Sequence, residues 1–405
     1  MKPGRALIIG GSMGGLCAGL LLLRAGWRVM ICERAEEELV GRGAGIVTHP
    51  ELSATLAACG IAPADALGVP VAARRLINRA GETVLTVARP QVTTSWDRLF
   101  RLLRRAFPDA LYARGRSLVA IERPEGPVRA HFADGSTEEA ELLVAADGFR
   151  STVRSLLLPE VAPAYVGYVG WRGLVPEAAM RPALHAALFE NMTFYLPPGE
   201  QILGYPAAGE QDDLTPGRRR YNFVWYRPVA AETELPRLLT GISGRRHSLS
   251  IPPPEISPAV IEELRADAER LLPWPFAELI ALCPRPFLQP IYDLAVPRMA
   301  VGAVAFLGDA AFIARPHVGA GVSKAALDAL ALARALEQAA DLPQALSAYH
   351  AERHPQGLRA VRQGQALGAC IDAAGVGQPD PAARAAARNP AHLLAETATL
   401  DFLAR

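Results

Sequence analysis

The chain has 405 residues, with 42 basic and 41 acidic side chains and a formal net charge of +1 at pH 7. A chain of this length buries more than one hydrophobic core, which excludes a peptide, a fibre and a disulfide-stabilised miniprotein. The balanced charge argues against general binding of nucleic acids or anionic membranes, and the 50% apolar content argues against disorder.

Cysteine and lysine usage is informative. Five cysteines occur without a CxxC pair or clustered histidines, a pattern that favours neither a disulfide framework nor a zinc site. We therefore expect a cytoplasmic protein without a bound metal. Lys2 and Lys324 are the only lysines, and we interpret the many arginines as biased base composition in the source genome rather than as a phosphate-binding surface.

The chain opens with a predicted strand, turn, helix and second strand. The apolar run at 6–9 is typical of a strand buried in a parallel sheet, a helix is expected from about Gly14 to Ala25, and 27–33 returns as a strand. The intervening glycines favour this interpretation over a signal peptide or a membrane span.

A dinucleotide-binding fingerprint lies in this opening unit. Gly10-x-Ser12-x-x-Gly15 has serine at the middle glycine position, and Glu33 ends the second strand. The first glycine permits the tight turn, a small middle residue lets a pyrophosphate approach, and the last glycine allows the helix to pack on the sheet. A carboxylate at position 33 suits the hydroxyls of an adenosine ribose and disfavours a phosphorylated ribose.

The later elements are less regular. Segment 165–226 is rich in aromatic, strand-like runs that predict a mostly antiparallel sheet. In chain order, we predict helices at about 50–59 and 95–107, strands at 128–132 and 141–146, that antiparallel sheet, a helix from 258 to about 271, a strand at 303–307 and a helix from about 319 to 336.

Two further motifs, Asp147-Gly148 and Gly308-Asp309, follow predicted strands, and Arg315-Pro316-His317 comes after the second. With the opening fingerprint, they resemble the three fingerprints of the FAD-dependent aromatic hydroxylases, the family of para-hydroxybenzoate hydroxylase, in order and separation. Within that family, segments such as GYVGWRG at 167–173 are most similar to the dihydroxypyridine hydroxylases. The resemblance spans about residues 4–340.

The resemblance implies an α/β fold, with a Rossmann-like FAD-binding domain, an inserted substrate domain built on a mostly antiparallel sheet, and C-terminal helices. The expected FAD-binding domain is discontinuous, at 1–70, 98–160 and 286–338. The substrate domain is expected at 71–97 and 161–285, and a C-terminal helical segment at 339–405.

FAD is the implied cofactor, with NADH or NADPH as electron donor, a choice that the sequence leaves open. The helix near Gly319 would direct its positive end at the flavin, and the Gly43 to Ile46 segment would lie along the ring system. The expected cofactor-binding residues are Gly10, Ser12, Gly15, Glu33, Arg34, Gly43, Gly45, Ile46, Asp147, Gly148, Asp309, Pro316, Gly319, Gly321 and Val322.

The implied reaction uses NAD(P)H and O2 to hydroxylate a small aromatic or N-heteroaromatic ring, such as a phenol or hydroxypyridine, through a flavin C4a-hydroperoxide. The predicted catalytic residues are His317, as a proton acceptor or hydroperoxide contact, with Tyr205 and Asn222. Substrate contacts are predicted for Tyr195, Tyr205, Asn222 and Val224. Trp171 and Arg172 are expected to pack the domain junction.

Two positions depart from the family pattern. Phe312 stands where the family usually has histidine, and Trp96 stands where arginine or glutamine is common. A reductase or halogenase on the same fold and a non-catalytic flavin-binding regulator stay open as alternatives. A homodimer is implied only by the family, and substrate identity, regiochemistry and the role of 340–405 are left open.

Overall fold

The computed structural model describes residues 1–41, 43–61, 67–373 and 381–403, so parts of the predicted C-terminal segment, 374–380 and 404–405, lie outside the described residues. The strands are β1 (Arg5–Ile9), β2 (Arg28–Cys32), β3 (Gly45–Val47), β4 (Val69–Ile77), β5 (Thr83–Ser95), β6 (Tyr112–Ala113), β7 (Leu118–Glu122), β8 (Val128–Phe132), β9 (Thr137–Ala140), β10 (Leu142–Ala145), β11 (Ala164–Pro176), β12 (Met192–Tyr195), β13 (Gln201–Ala207), β14 (Arg220–Pro228), β15 (Phe287–Ala295), β16 (Ala300–Val301), β17 (Val304–Phe306) and β18 (Phe312–Ile313). The helices are α1 (Met13–Arg24), α2 (Pro50–Ala58), α3 (Trp96–Ala106), α4 (Thr152–Leu157), α5 (Pro182–Leu188), α6 (Glu234–Leu238), α7 (Pro258–Leu271), α8 (Trp274–Leu282), α9 (Gly321–Gln338), α10 (Leu342–Leu367), α11 (Pro381–Ala387) and α12 (Pro390–Glu396).

A six-stranded sheet in the order β16-β17-β10-β1-β2-β6 forms the first layer. All neighbours are parallel except β16 and β17. The central strands β1 and β10 are almost wholly apolar and buried, as expected where helices cover both faces of a parallel sheet. Helix α1 packs against α9, which places the carboxyl ends of β1 and β17 beside the first turns of two helices.

A nine-stranded sheet in the order β18-β15-β11-β14-β13-β12-β4-β5-β3 forms the second unit. Its pairs are antiparallel except that β12 runs parallel to β4. One face packs on α7, α8 and their neighbours in an apolar core, and strand alternation turns the other face toward the six-stranded sheet. The predicted α/β fold class, with its inserted antiparallel sheet and C-terminal helices, is confirmed.

Sheet membership differs from the predicted domain boundaries for three strands. Strands β3, β15 and β18 fall inside the ranges expected for the FAD-binding domain, yet all three belong to the nine-stranded sheet, where β3 pairs with β5 and β15 pairs with β11 and β18. Backbone pairing with distant strands decides their sheet, and the local sequence does not encode that choice. The boundaries themselves stay a prediction.

The helix expected near Gly319 begins two residues later. Gly319 has φ +59° and ends a short 3-10 turn over Pro316–Val318, so α9 starts at Gly321. Left-handed backbone is a conformation that glycine adopts at little cost. No helix in the described ranges is both long and apolar enough to cross a bilayer.

Candidate active site

A cavity of about 570 Å³ lies between the two sheets. Loops of the six-stranded sheet form one side of the cavity, and β3 and the nine-stranded sheet form the opposite side. The C-terminal tail, at Thr397 and Ala398, forms part of a third side. Of the residues predicted to bind cofactor or substrate, those that line this cavity are Ser12, Gly43, Gly45, Ile46, Gly148, Tyr205, Val224, Asp309, Pro316, His317, Gly319, Gly321 and Val322.

The glycine-rich turn after β1 is too tight for side chains. Gly10 has φ +105°, and a Cβ there would lie 2.4 Å from the Ala146 carbonyl oxygen, while a Cβ at Gly15 would lie 1.9 Å from the Gly10 oxygen. Ser12 begins α1 but its hydroxyl makes no capping hydrogen bond, although it lines the cavity. Its side chain is therefore available to a bound group.

Glu33, at the end of β2, fixes the backbone of the glycine-rich turn. Its carboxylate accepts hydrogen bonds from the Gly11 N–H at 2.8 Å and the Ala35 N–H at 2.9 Å, and the side chain is buried. The Tyr112 hydroxyl donates to the Gly11 carbonyl at 2.9 Å. Glu33 and the exposed Arg34 lie outside the cavity lining, so their predicted contact with the adenosine end of the cofactor stays a prediction.

Asp147 and Gly148 differ in their contact with the cavity. The Asp147 carboxylate accepts from the Ser151 hydroxyl at 2.6 Å and the Val153 N–H at 3.1 Å, so it caps the start of α4 and does not line the cavity. Gly148 has φ +73° and lines the cavity, and a Cβ built on it would meet no atom within 4 Å. The structure therefore supports a direct contact for Gly148 and a positioning role for Asp147.

Side chains of helix α9 fix the Gly308-Asp309 turn by hydrogen bonds to its backbone. Asp328 accepts from the Gly308 N–H at 3.0 Å, and the Lys324 ammonium donates to the Gly308 carbonyl at 2.7 Å. Arg353 on α10 in turn donates to Asp328 at 2.7 Å, and all three charged side chains are buried. This buried cluster fixes the turn and leaves the Asp309 side chain exposed to the cavity.

Two opposing effects act on the Asp309 carboxyl. Desolvation by the surrounding protein raises the pKa of Asp309, and the charges of Lys324 and Arg154 oppose that rise. A carboxyl group that faces a cavity can accept a hydrogen bond from a hydroxyl group. The predicted role of Asp309 toward a ribityl hydroxyl fits this arrangement.

The segment from Gly43 to the end of β3 borders the cavity, and it has no room for side chains at Gly43 and Gly45. A Cβ on Gly43 would lie 2.1 Å from Trp96 Cβ, and one on Gly45 would lie within 2.8 Å of Tyr205 and Asn222. Trp96, the departure from the family pattern, therefore packs beneath this segment. Phe312, the other departure, packs against Gly357 and His354 on α10 and does not line the cavity.

Asn222, predicted as a catalytic and substrate residue, lies behind the cavity wall. Its side chain is fully buried and does not line the cavity. Its side-chain oxygen Oδ1 accepts from the Gly45 N–H at 3.0 Å, which joins β14 to β3. Asn222 is therefore a positioning residue for the cavity wall.

The nine-stranded sheet presents alternate residues to the cavity. Tyr205 and Val224 line it as predicted, but Tyr195 packs in the opposite core with Trp171. Neighbouring residues of a strand point to opposite faces, and Tyr195 has the register of the helix-covered face. Tyr195 therefore points away from this cavity, which does not support its predicted contact with the substrate.

His317 is buried in a hydrogen-bonded network. Its Nε2 lies 2.9 Å from the Tyr168 hydroxyl, and its Nδ1 has no partner among the described residues. Arg315 donates to Asp293 at 2.8 Å, and its guanidinium lies 5.7 Å from the centre of the Tyr168 ring.

The electrostatics make His317 a weak base. Burial, assisted by the charge of Arg315, lowers the pKa of His317 from 6.5 to about 3. The ring is neutral at physiological pH, and its Nε2 contacts the Tyr168 hydroxyl. The role of His317 as a proton acceptor or hydroperoxide contact stays a prediction.

The lowered pKa gives a test of this burial. In the unfolded chain His317 binds a proton near pH 6.5, whereas in the folded chain it binds one only at about pH 3. Because the unfolded state binds more protons between these values, stability that is present above pH 6.5 is lost as the pH falls toward 3. We expect the free energy of unfolding to fall more steeply across this window in the wild type than in His317→Gln. Urea denaturation at a series of pH values measures both slopes, and parallel slopes would contradict the assignment.

The C-terminal tail was given no role by the sequence, but it forms part of the site. Thr397 and Ala398 line the cavity, and the Ala398 N–H donates to the His317 carbonyl at 3.0 Å. Arg74, fully buried, donates to the Ala395 carbonyl at 3.2 Å and the Ala398 carbonyl at 3.3 Å. No motif in a single sequence signals this contact, because it joins residues more than 300 positions apart.

Trp171 and Arg172, both expected at the domain junction, lie on opposite faces of β11. Trp171 packs in the helix-covered core, whereas Arg172 lines the cavity between the two sheets and donates to Gln289 at 2.8 Å. The alternation of β11 within the WRG segment was the available signal, since Trp171 and Arg172 cannot share a face.

The residues present fit an FAD molecule. Gly148 and Gly321 border open space in which a Cβ would meet no atom, and Gly321 and Val322 line the cavity at the first turn of α9, where backbone N–H groups lack helical partners. Ser12 and Asp309 add free polar groups. A Rossmann-like domain with this cradle, facing a second sheet across the cavity, defines a flavin-dependent oxidoreductase.

Comparisons with known proteins agree. Residues 165–293 match the model of an FAD binding domain-like family, and 290–364 match that of an FAD binding domain. The chain is 32% identical to 2,6-dihydroxypyridine 3-monooxygenase of Paenarthrobacter nicotinovorans over 87% of this chain and 88% of the relative. It is 29% identical to 3-amino-4-hydroxybenzoate 2-monooxygenase of Streptomyces cremeus over 90% and 86%, respectively.

The solved structure of 2,6-dihydroxypyridine-3-hydroxylase from Arthrobacter nicotinovorans superposes with a TM-score of 0.87, at 30% identity over 94% of this chain and 96% of that one. The chain belongs to the family of FAD-dependent aromatic monooxygenases. It is an oxidoreductase with FAD as its cofactor, and the resemblance drawn from its motifs is confirmed.

Proposed function

We propose that this enzyme uses NAD(P)H and O2 to hydroxylate a small aromatic or N-heteroaromatic ring that carries a hydroxyl group. One observation carries the proposal: a single cavity joins the Gly308-Asp309 turn and the first turn of α9 to an aromatic and apolar wall of the nine-stranded sheet. The named relatives, which act on a dihydroxypyridine and an aminohydroxybenzoate, support this substrate class.

FAD, when bound, supplies the redox chemistry by accepting a hydride from NAD(P)H and activating O2. The chain would hold the cofactor through Ser12, Gly148, Asp309 and the start of α9. Tyr205 and Val224 would contact the substrate, and His317 would donate a hydrogen bond from Nδ1. The tail at Thr397 and Ala398 would exclude water from the reacting groups.

Oxygen uptake tests the proposal. FAD-loaded protein is mixed with NADH or NADPH and with phenols, hydroxypyridines or hydroxybenzoates, and the product is analysed by mass spectrometry under ¹⁸O2. We expect a substrate-stimulated reaction that incorporates one labelled oxygen atom. Flavin reduction without incorporation would support a reductase, chlorinated product in the presence of chloride would support a halogenase, and no stimulation by any substrate would support a regulator.

The cytoplasmic location and the homodimer expected from the sequence stay predictions. The homodimer is supported only by the family resemblance, and analytical ultracentrifugation of the FAD-loaded protein tests it directly.

A further inference from the structure

A second cavity, of about 1070 Å³, adjoins the cavity between the two sheets, the active-site cavity. Two short segments, 47–49 and 397–401, form the wall between them. In each segment the first residues line the active-site cavity and the next residues line the second cavity. The second cavity opens to solvent, because Glu51, Glu190 and Asp401 on its lining are exposed. The active site thus shares this wall with an open cavity.

The strap, defined as residues 397–401, is fixed at one backbone carbonyl. The Ala398 carbonyl accepts hydrogen bonds from Gln91 Nε2 at 2.9 Å and from Arg74 at 3.3 Å. It also accepts from His49 Nε2 at 3.3 Å, since a carbonyl oxygen can only accept. Before its last residue the strap belongs to no helix or strand. Side-chain donors therefore replace the strand pairing that fixes other parts of the wall.

The backbone of the strap is strained at its start and weakly fixed at its end. Ala398 has φ +52°, a left-handed conformation that is unfavourable for alanine. Its methyl group fits because residue 319 is glycine, where a Cβ would lie 2.6 Å from Ala398 Cβ. Asp401 pairs with Arg89 at 2.7 Å, but these side chains are 54% and 35% exposed, so the pair adds little stability. Displacement of the strap would release the strain and break this weak pair.

The strap also presents an unused hydrogen-bonding group to the active-site cavity. Thr397 lines that cavity and is 3% exposed, and its Oγ1 has no partner among the described residues. A buried hydroxyl without a partner costs free energy, which a hydrogen bond to a ligand recovers. On the other side of the strap, Val69, Val71 and Phe189 give the second cavity apolar surface. The two sides together suit a ring that carries a hydroxyl group.

We propose that the second cavity is the entry site for the aromatic substrate, and that the strap moves aside to admit the ring to the active site. This proposal rests on the proposed function and adds a route to it. Bound FAD would occupy the part of the active-site cavity at Ser12, Gly148 and Asp309, and the strap lies on a different side. Thr397 would bind the hydroxyl group of the substrate when the strap closes.

Phenol, the simplest member of the proposed substrate class, tests the route without turnover. It quenches the fluorescence of FAD on contact, so the quenching rate constant of the FAD-loaded protein measures access to the flavin. Ala72→Cys places a thiol on the exposed lining of the second cavity, which a biotin methanethiosulfonate reagent then blocks reversibly. All five native cysteines are buried, so the reagent labels the introduced thiol. We expect the label to lower the rate constant about tenfold, and dithiothreitol to restore it.

Val84→Cys is the matched control, because Val84 is 57% exposed on β5 and lines neither cavity. The same label at that position is expected to leave the rate constant unchanged. Gln91→Leu removes the nearest donor to the Ala398 carbonyl, so the strap should open more often and the rate constant should rise about tenfold. Should Gln91→Leu not fold, Ala72→Cys with and without its label decides the question.

The proposal is overturned when phenol does not quench the wild type, or when it quenches Ala72→Cys equally with and without the label. A rate constant that falls with the label but does not rise in Gln91→Leu supports the entry site and refutes movement of the strap. Failure of the proposed function looks different. An enzyme that incorporates ¹⁸O at the same rate with and without the biotin label refutes the entry site alone, whereas blocked access without ¹⁸O incorporation in any variant refutes the proposed reaction alone.

Discussion

Replacing His317 by alanine is expected to lower the rate of product formation about 100-fold, the usual effect of removing a positioned hydrogen-bond donor from an active site. The imidazole lines the cavity, its Nε2 contacts the Tyr168 hydroxyl, and its Nδ1 has no partner among the described residues. Its loss also opens space beside Tyr226, whose ring centroid lies 4.2 Å away. Water in that space would divert electrons from NAD(P)H into H2O2.

The measurement compares hydroxylated product, NAD(P)H consumed and H2O2 released. Tyr168→Phe keeps the imidazole but frees Nε2, so we expect a smaller loss of rate together with a new ionisation in the pH profile. His392→Ala removes an exposed histidine of α12 and is expected to leave all three quantities unchanged. A His317→Ala enzyme with the wild-type yield of product per NAD(P)H would remove this residue from the mechanism.

Replacing Arg353 by methionine is expected to lower the free energy of unfolding by about 3–5 kcal/mol, because a buried carboxylate loses its main partner. Arg353 lies 2.7 Å from Asp328, both side chains are at most 3% exposed, and Lys324 remains 3.9 Å from the carboxylate. Asp328 holds the Gly308 N–H, so FAD affinity should fall with stability. Urea unfolding and quenching of flavin fluorescence measure the two effects.

The same helix pair offers a matched control. Arg334 on α9 pairs with Glu352 on α10 at 2.8 Å, but both side chains are largely exposed. Arg334→Met is expected to cost less than about 1 kcal/mol and to leave FAD affinity unchanged. Adding Asp328→Asn to Arg353→Met should recover part of the stability, because it removes the unpaired charge. Equal losses for Arg353→Met and Arg334→Met would show that the buried cluster does not support the turn.

The cofactor side of the site was largely predictable. Gly10, Gly15 and Gly308 occur at tight turns after buried strands, and backbone geometry there depends on the local sequence. Asp147 shows the limit of that reasoning. Its motif was recognised correctly, but its carboxylate caps α4 through Ser151 and Val153, a contact that the motif alone did not reveal.

The substrate side was predicted less well, for a physical reason. Alternation along one strand shows which residues share a face, but only pairing across the sheet shows which face meets the cavity. Tyr195 and Asn222 were assigned to the substrate and Trp171 and Arg172 to the domain junction, and the register of β11 and β12 places Tyr195 and Trp171 in the helix-covered core and Arg172 at the cavity. The Asn222 side chain points to the cavity side of the sheet, as expected, but β3 covers this side chain.

The sequence by itself determined the class of this protein, because three glycine-containing turns, each following a buried strand, encode a flavin-binding fold through short-range geometry. Only the tertiary structure decided the chemistry of the cavity. The pKa of His317 depends on burial and on the charge of Arg315, and the position of Ala398 in the cavity wall is fixed by a hydrogen bond from Arg74. These effects arise from burial and from contacts between distant parts of the chain, so no local pattern of residues contains them.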